Sequence, residues 1–211
     1  AGVAAGAPWP DGLDVVHGST VATNAVLERR GARVALVATA GFGDVLRIGR
    51  QTRRELYNFM VEDRRPLVEA DATFTVRERV AAAGDVLEPL CEADVEALVP
   101  RLREAGAESV AICFLHSYVN AAHEQRAAAI LRAAGFTVSV SSSVRPECRA
   151  FARWSTTAAN AYVTPIMDRY VGALSDRLGR ARLSIMQSNG GSISAARARA
   201  AAVQTILSGP A

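Results

Sequence analysis

The stretch 109–141, SVAICFLHSYVNAAHEQRAAAILRAAGFTVSVS, decides the fold class of this 211-residue chain. It begins with an apolar run over 109–115 and continues with a segment of helical period over 121–134. Gly135 follows, where a helix is expected to stop, and a second short apolar run covers 137–141. A strand, a helix and a strand in this order predict an α/β protein with parallel strands.

The same alternation extends in both directions along the chain. We expect further strands at 14–17, 33–38, 183–187 and 203–207, and helices at 20–30, 42–48, 92–105 and 148–178. Gly31 is expected to stop the first helix, and Pro165 is expected to kink or break the last one.

Residues 51–90 differ from the rest because arginine and proline become more frequent there. Residues 73–80 alternate as a strand, and an Ala-Gly-Asp turn followed by Val86 and Leu87 predicts a hairpin. We interpret this segment as an insertion on the sheet core.

Composition excludes several classes of function. The chain has 24 basic and 21 acidic residues, and all of the basic ones are arginine. This small, scattered imbalance does not predict a nucleic-acid-binding surface. The absence of lysine excludes a Schiff-base lysine and a Walker-type phosphate lysine within these residues.

Cysteine spacing and hydropathy point to a soluble cytoplasmic protein. Cys91, Cys113 and Cys148 form no CxxC pair, so neither a zinc site nor a redox pair is predicted. None of the three is expected to lie beside a histidine or a helix start that would lower its pKa. The apolar runs are far shorter than the ~20 residues that span a bilayer, so no membrane association is expected.

A glycine and two hydroxyl side chains follow the first predicted strand, in the sequence His17, Gly18, Ser19 and Thr20. At a helix N-terminus, such residues offer N–H donors near the positive end of the helix dipole, which suits an anion or a developing oxyanion. The alternative, favoured by the local pattern alone, is that Ser19 or Thr20 only caps the helix.

Two further glycine-containing turns follow apolar runs late in the chain. The first comprises Ser188, Asn189, Gly190 and Gly191, and the second includes Ser208 and Gly209. Glycines after a strand let the backbone approach a ligand closely, although any tight turn also prefers an Asn-Gly-Gly sequence.

Other polar clusters give weaker signals. His116, His123 and Glu124 are more typical of packing and capping residues than of metal ligands, so no metal site is predicted. Arg50 lies in an arginine-rich stretch that would suit a carboxylate or a phosphate, and a solvated loop is an equal alternative.

The chain resembles the hydantoinase A/5-oxoprolinase family through several strings that occur in one order. They are HGSTVATNA (17–25), GFGDV (41–45), IGRQ (48–51), FLHSY (114–118), STT (155–157), MQSNGG (186–191) and LSGPA (207–211). The family usually has Thr in place of Ser19, which keeps the hydroxyl group. It also has Pro where Arg54 and Ala121 stand, and a basic residue near Gly43.

This resemblance implies an ATP-dependent enzyme of the actin/sugar-kinase/Hsp70-like superfamily, with a ribonuclease-H-like sheet that carries helices on both faces. Members open a cyclic amide or imide, or serve as subunits of ATP-dependent ketone carboxylases. ATP and Mg²⁺ phosphorylate a carbonyl oxygen, so that phosphate becomes a leaving group. The resemblance also implies a partial N-terminal region at 1–147, with the insertion at about 51–90, and the start of a core region at 148–211.

The resemblance further assigns roles to the candidate residues, although it names no general base. The residues expected to face substrate or phosphate are His17, Gly18, Ser19, Thr20, Asn24 and Arg50. Those expected to line the nucleotide cleft are Ser188, Asn189, Gly190, Gly191, Ser208 and Gly209. Because both groups follow strands, we expect the first and second turns to share one cleft.

Two Asp-x-Gly-Gly-Thr phosphate loops are typical of the family, and neither occurs in these 211 residues. We therefore expect an internal fragment that is inactive alone, binds ATP weakly or not at all, and self-associates through a bare sheet edge. A hydantoinase B-type partner is also implied. The alternatives are a fragment of a ketone carboxylase subunit and a non-catalytic binding or assembly module.

Overall fold

The computed structural model describes residues 12–52, 57, 66–179 and 181–206, and the chain divides into two compact units. The first unit comprises Ala1–Ala32 and Val163–Ala211, and the second comprises Arg33–Tyr162. The predicted boundary between 147 and 148 separates sequence regions and stays a prediction.

The strands of the described residues are, in chain order, β1 (Asp14–His17), β2 (Val34–Thr39), β3 (Thr73–Val76), β4 (Arg79–Val80), β5 (Val86–Glu88), β6 (Ser109–Cys113), β7 (Thr137–Val140), β8 (Arg182–Met186) and β9 (Ser192–Ser194). The α-helices are α1 (Val21–Leu27), α2 (Val45–Ile48), α3 (Glu92–Glu104), α4 (Ala122–Ala133), α5 (Ser141–Val144), α6 (Ala150–Leu178) and α7 (Ala195–Ala200). Short 3-10 helices cover Ala70–Ala72 and Ala202–Thr205.

A four-stranded parallel sheet forms the centre of the second unit, in the order β3-β2-β6-β7. Leu36 of β2 pairs with Thr73 on one side and with Ala111 on the other. Apolar, β-branched runs of this kind are typical of parallel strands that are buried on both faces. The predicted α/β class with parallel strands is therefore confirmed.

Helices pack on both faces of this sheet. On one face, α3 and α4 contact the strands and each other. On the other face, Asn160 in the first part of α6 donates a hydrogen bond from Nδ2 to Ser139 Oγ at 2.9 Å. The core between the sheet and α3/α4 consists of buried apolar side chains: Ala35, Val37, Phe74, Val76, Val95, Leu98, Leu102, Val110, Ile112, Phe114, Ala127, Ala128, Leu131 and Val140.

The first unit contains a smaller mixed sheet in the order β1-β8-β9. β1 and β8 are parallel, with His17 opposite Ile185, and β9 pairs with β8 in the antiparallel direction. The three-residue strand β9 is too short to be visible as a sequence pattern. The later part of α6 belongs to this unit, and its Met167 and Val171 are buried.

The helix ends show where local sequence rules succeed and where they do not. Gly106 follows α3 with φ +67°, and Ala107 N–H donates to Leu102 O, which is the usual geometry of a helix that ends at a glycine. α1 ends earlier than predicted, at Leu27. Arg29 rather than Gly31 takes the left-handed conformation, with φ +56°, and Arg30 N–H donates to Ala25 O to close the same motif.

The prediction of one strand over 73–80 is wrong in its pairing. Thr39, the last residue of β2, lies opposite Val76, so β3 has no further partner on β2 beyond that point. The chain then begins the β4–β5 hairpin, which was predicted. β3 lies at the edge of the core sheet, and the insertion at about 51–90 stays a prediction.

Two other predictions need correction. The segment 203–207 is not a strand, because Ala202–Thr205 forms a 3-10 helix in which Thr205 Oγ1 donates to Ala202 O at 2.7 Å; Leu207 lies outside the described residues. α6 continues through Pro165 without a break. Val163 and Met167 are buried on either side of the proline, so packing offsets the lost backbone hydrogen bond. No described helix combines the length and the hydropathy needed to span a membrane.

Candidate functional site

The last residue of β1 and the three residues after it, here together called the β1 turn, are His17, Gly18, Ser19 and Thr20. Ser19 is buried, and its Oγ accepts a hydrogen bond from Val21 N–H at 3.2 Å. Thr20 is the N-cap residue of α1, but its side chain makes no capping bond. Its exposed hydroxyl instead accepts from Asn24 Nδ2 at 3.5 Å, so Asn24 supports this turn.

His17 is held from the side by α6. Its Nε2 lies 2.6 Å from the hydroxyl oxygen of Tyr170, and the two ring centroids are 5.9 Å apart. No local sequence pattern predicts this contact, because the two residues are 153 positions apart in the sequence. The contact fixes the orientation of the imidazole at the end of β1.

The turn after β8, here called the β8 turn, consists of Ser188, Asn189, Gly190 and Gly191. It closes the β8–β9 hairpin through Gln187 N–H, which donates to Gly191 O at 2.7 Å, and Gly190 adopts φ +85°. Ser188 donates from both its N–H and its Oγ to Gln204 O, at 2.9 Å each. Tight-turn geometry therefore accounts for the glycines, while the side chains of the turn stay exposed.

The two turns leave the same edge of one sheet. β1 and β8 are adjacent parallel strands, so their carboxyl ends lie side by side, and each strand is followed directly by its polar turn. Carboxyl ends of parallel strands are where open α/β sheets bind ligands. A shared cleft stays a prediction.

The remaining predicted residues are placed differently. Arg50 belongs to the second unit, where its guanidinium carbon lies 5.8 Å from the centre of the Phe151 ring. Ser208 and Gly209 lie outside the described residues.

A buried carboxylate, Glu124, lies at the carboxyl edge of the second unit's sheet, and its role was not predicted. Oε1 accepts from Phe114 N–H at 2.8 Å and from Ser141 Oγ at 2.6 Å, and Oε2 accepts from Ser142 N–H at 2.8 Å. Burial raises the pKa of Glu124, and these hydrogen bonds oppose that rise. Glu124 thus ties the ends of β6 and β7 together.

Arg153 on α6 supplies the opposite charge. It is almost completely buried and donates from Nε to Ser141 Oγ at 3.1 Å and from a terminal nitrogen to Phe114 O at 2.9 Å. Burial lowers the pKa of Arg153, while the charge of Glu124 opposes that change. The Ser141 hydroxyl therefore bridges a buried carboxylate and a buried guanidinium.

A second buried carboxylate, Glu78, lies at the same edge. It accepts a hydrogen bond from Thr39 Oγ1, and its Oε2 is 2.8 Å from His123 Nδ1. The Thr39 hydroxyl in turn accepts from Leu115 N–H at 3.0 Å. The alternation of residues 73–80 could have indicated Glu78, since that pattern puts its carboxylate on the buried side with Phe74 and Val76.

The predicted absence of a metal site was based on His116, His123 and Glu124. Among the residues that the structure describes, no group of three or more His, Cys, Asp or Glu side chains is arranged to hold a metal ion. His116 has φ +52°, and its buried Nδ1 finds no hydrogen-bond partner in the described part of the chain.

The expectation for the cysteines needs one correction. Cys91 is the N-cap residue of α3, and a terminal nitrogen of Arg77 lies 3.2 Å from its sulfur. The helix start was expected at 92, but the approach of Arg77 depends on the tertiary fold. Cys113 is fully buried, and this burial raises its pKa.

Comparison with known protein families gives two matches. The hydantoinase/oxoprolinase N-terminal region matches residues 11–135, and the hydantoinase/oxoprolinase family matches residues 153–211. Together they cover most of the chain.

Individual relatives agree with these matches. Caprolactamase subunit alpha of Pseudomonas jessenii is 38% identical over 204 residues, which cover 93% of this chain and 29% of that protein. The 5-oxoprolinase of Saccharomyces cerevisiae is 33% identical over 225 residues, covering 92% of this chain and 17% of that protein. The chain thus spans less than a third of the length of either relative.

Solved structures show the same fold. The ATP-dependent caprolactamase from Pseudomonas jessenii superposes with a TM-score of 0.82 at 36% identity, over 92% of this chain and 29% of that one. The nucleotide-free structure of an ATP-dependent acetone carboxylase superposes with a TM-score of 0.78 at 27% identity, over 93% of this chain and 30% of that one.

Proposed function

This chain belongs to the hydantoinase/oxoprolinase family, and from that premise we propose that it serves the ATP-dependent opening of a cyclic amide ring, such as a hydantoin, 5-oxoproline or a related lactam. The observation that carries the proposal is the placement of the β1 turn and the β8 turn at one carboxyl edge of the first unit's sheet. Relatives named caprolactamase and 5-oxoprolinase support the choice of substrate class.

The proposed chemistry makes a poor electrophile reactive. Transfer of the γ-phosphoryl group of ATP to the ring carbonyl oxygen activates the carbonyl carbon, and water adds to that carbon. The ring C–N bond then breaks as its nitrogen takes a proton, and a second water hydrolyses the resulting acyl phosphate to the open-chain acid and phosphate. Mg²⁺ would neutralise charge on the phosphates. In this proposal the β1 turn, with Asn24, faces substrate or phosphate, and the β8 turn, with Ser208 and Gly209, lines the nucleotide cleft. Arg50, in the second unit, stays a separate candidate for contact with substrate or phosphate.

The donors present in the two turns suit phosphate oxygens only in part. Gly190 N–H already donates to Gln187 O, and Gly191 N–H donates to Asn189 Oδ1. The groups that would reach a phosphate are therefore the exposed Thr20 hydroxyl and the Asn189 amide nitrogen. This makes Thr20 and Asn189 the side chains to test.

The test is turnover by the complete polypeptide that the gene encodes, together with any co-purifying subunit. We expect ring-opened acid and ADP in equal amounts from hydantoin, 5-oxoproline or caprolactam with Mg-ATP. Asn189→Ala and Thr20→Val should lower kcat/KM by roughly tenfold or more, the range expected for losing a hydrogen bond to a charged group. Ser192→Ala, on the exposed neighbouring strand β9, is the control. Ring opening without ATP, or full activity in both variants, would overturn the proposal.

A second function is favoured by the structural similarity to acetone carboxylase. There, an activated phosphorylated carbonyl would react with a carbon nucleophile instead of water. Incubation with ketone, bicarbonate and Mg-ATP separates the two functions, because only the carboxylase yields a carboxylated ketone.

Several further expectations belong to the proposal. They are a ribonuclease-H-like layering, a cytoplasmic location, a hydantoinase B-type partner and the alternative of a non-catalytic binding or assembly module. One relative is named the alpha subunit of a caprolactamase, and this name supports the expectation of a partner subunit. Titration of the 211-residue chain with Mg-ATP tests the module alternative. We expect no saturable micromolar binding by this chain alone, and lactam turnover by it would contradict that expectation.

A further inference from the structure

The direction in which the chain adds strands to the sheet of the second unit reverses between β2 and β6. From β2 the chain goes to β3 on one side, and it then returns to β6 on the other side of β2. In open parallel sheets, the carboxyl end of such a switch point is where ligands bind. Here that position carries Thr39 at the end of β2 and Leu115 shortly after β6.

A chain of hydrogen bonds at this switch point fixes the state of one imidazole. Leu115 N–H donates to Thr39 Oγ1, and the Thr39 hydroxyl donates to Glu78. The second oxygen of Glu78 lies 2.8 Å from His123 Nδ1. The geometry suits the tautomer in which Nδ1 carries the ring proton and donates it to the Glu78 carboxylate, which leaves the lone pair on Nε2.

The other ring nitrogen points away from this chain of bonds. Within the described residues, Nε2 of His123 has no hydrogen-bond partner, and the side chain is 12% exposed whereas that of Glu78 is fully buried. A buried carboxylate behind an imidazole whose second nitrogen reaches solvent is the arrangement that orients a general base.

We propose that Glu78 and His123 form a general-base pair at the carboxyl edge of the second unit's sheet, with His123 Nε2 accepting the proton of a bound water. As the water oxygen attacks an acyl carbon with its electron pair, its proton moves to Nε2. The Nδ1–H bond to Glu78 stays in place. When the bond between the acyl carbon and the leaving group breaks, the leaving group takes the electron pair of that bond and the imidazolium returns the proton to it. Glu78 and Thr39 are positioning residues for this base.

This role goes beyond the proposed function and does not rest on it, because Glu78 and His123 both belong to the second unit. The pair can be tested without ATP or a lactam, so failure of the two proposals is distinguishable. The probe is 4-nitrophenyl acetate, whose hydrolysis requires only an accessible basic nitrogen and releases a coloured phenolate.

The variants are His123→Gln and Glu78→Gln, with His116→Asn as the matched control because asparagine tolerates the left-handed backbone at that position. We expect His123→Gln to remove the protein-dependent hydrolysis. Glu78→Gln should reduce it at least about tenfold, because a carboxylate that holds the imidazole in the correct tautomer and stabilises the imidazolium is lost. His116→Asn should keep the original rate.

A second readout concerns the tautomer and does not depend on hydrolysis. Nitrogen-15 NMR of neutral His123 should show the proton on Nδ1, and Glu78→Gln should move it to Nε2, because the new amide NH₂ can donate to Nδ1. A proton on Nε2 in the original protein would overturn the proposal. So would an unchanged hydrolysis rate in His123→Gln, a variant at a partly exposed position that does not require the buried Glu78 to be altered.

Discussion

Replacing Glu124 by alanine should destabilise the second unit more than any exposed charge deletion. The change removes the acceptor of Phe114 N–H, Ser141 Oγ and Ser142 N–H, and it leaves the buried Arg153 without its counter-charge. Glu124 and Arg153 are bridged by the Ser141 hydroxyl, and leaving a buried charge without its compensating charge costs about 3–5 kcal/mol. The unsatisfied donors are part of the same loss, so we expect a total within that range.

Urea unfolding followed by Trp154 fluorescence measures this loss where it occurs, because Trp154 is fully buried in the second unit. A Trp9→Phe background leaves Trp154 as the single tryptophan of the chain. With an m-value of about 2 kcal/mol/M, the expected loss lowers the midpoint by roughly 1.5–2.5 M urea.

The matched control is Glu96→Ala, which removes an exposed carboxylate from the adjacent helix α3. Surface changes of this kind usually stay within about 0.5 kcal/mol. Equal midpoints for Glu124→Ala and Glu96→Ala would show that the hydrogen bonds of Glu124 do not stabilise the edge of the sheet, and would refute this prediction.

Three further predictions concern other parts of the molecule. Burial raises the pKa of the Glu124 carboxyl in the folded state. The stability gained from protonating this carboxyl is therefore fully present below its unfolded pKa of about 4.3, and it is lost as pH rises through the folded pKa. Glu124→Gln should flatten the dependence of the urea midpoint on pH in that range. Tyr170→Phe removes the 2.6 Å contact with His17 Nε2, should cost about 1 kcal/mol and should shift the nitrogen-15 resonance of that ring nitrogen, and an unchanged resonance would contradict the contact. Val16 on the edge strand β1 is 60% exposed, so the chain should self-associate in sedimentation over a tenfold concentration range and Val16→Lys should weaken this, whereas a monomer throughout would refute edge pairing.

Sequence patterns predicted the central strands and the main helices of the second unit well, because β2 and β6 are continuous apolar runs and α3 and α4 each bury one face. The four strands 34–39, 73–76, 109–113 and 137–140 each carry apolar residues that only a buried sheet accommodates. Prediction failed where one local interaction decided the structure. Arg29 ends helix α1 in a left-handed conformation that glycine usually adopts. The Thr205 hydroxyl donates a hydrogen bond to Ala202 O within a 3-10 helix.

The candidate site divides in the same way. The β1 and β8 turns were predictable because each follows a strand, and parallel pairing then places both at one edge. The contact between Glu78 and His123 was not predictable, because it joins residues 45 positions apart. It depends on the register that sets Thr39 opposite Val76, and no local pattern carries that register.

The charges buried at the edge of the second unit's sheet bear on function more than on stability. Desolvating Glu124 and Arg153 costs free energy that apolar side chains of similar volume would not cost, so this pair adds little net stability over an apolar edge. The pair does fix the backbone at Phe114 and Ser141 through bonds that an apolar edge could not make. Leu115, which follows Phe114 directly, donates its N–H to the Thr39 hydroxyl that orients Glu78. The series of hydrogen bonds behind His123 therefore starts at Leu115 N–H, one residue after the Phe114 backbone that Glu124 and Arg153 hold, so this strand end helps to keep the proposed base in position.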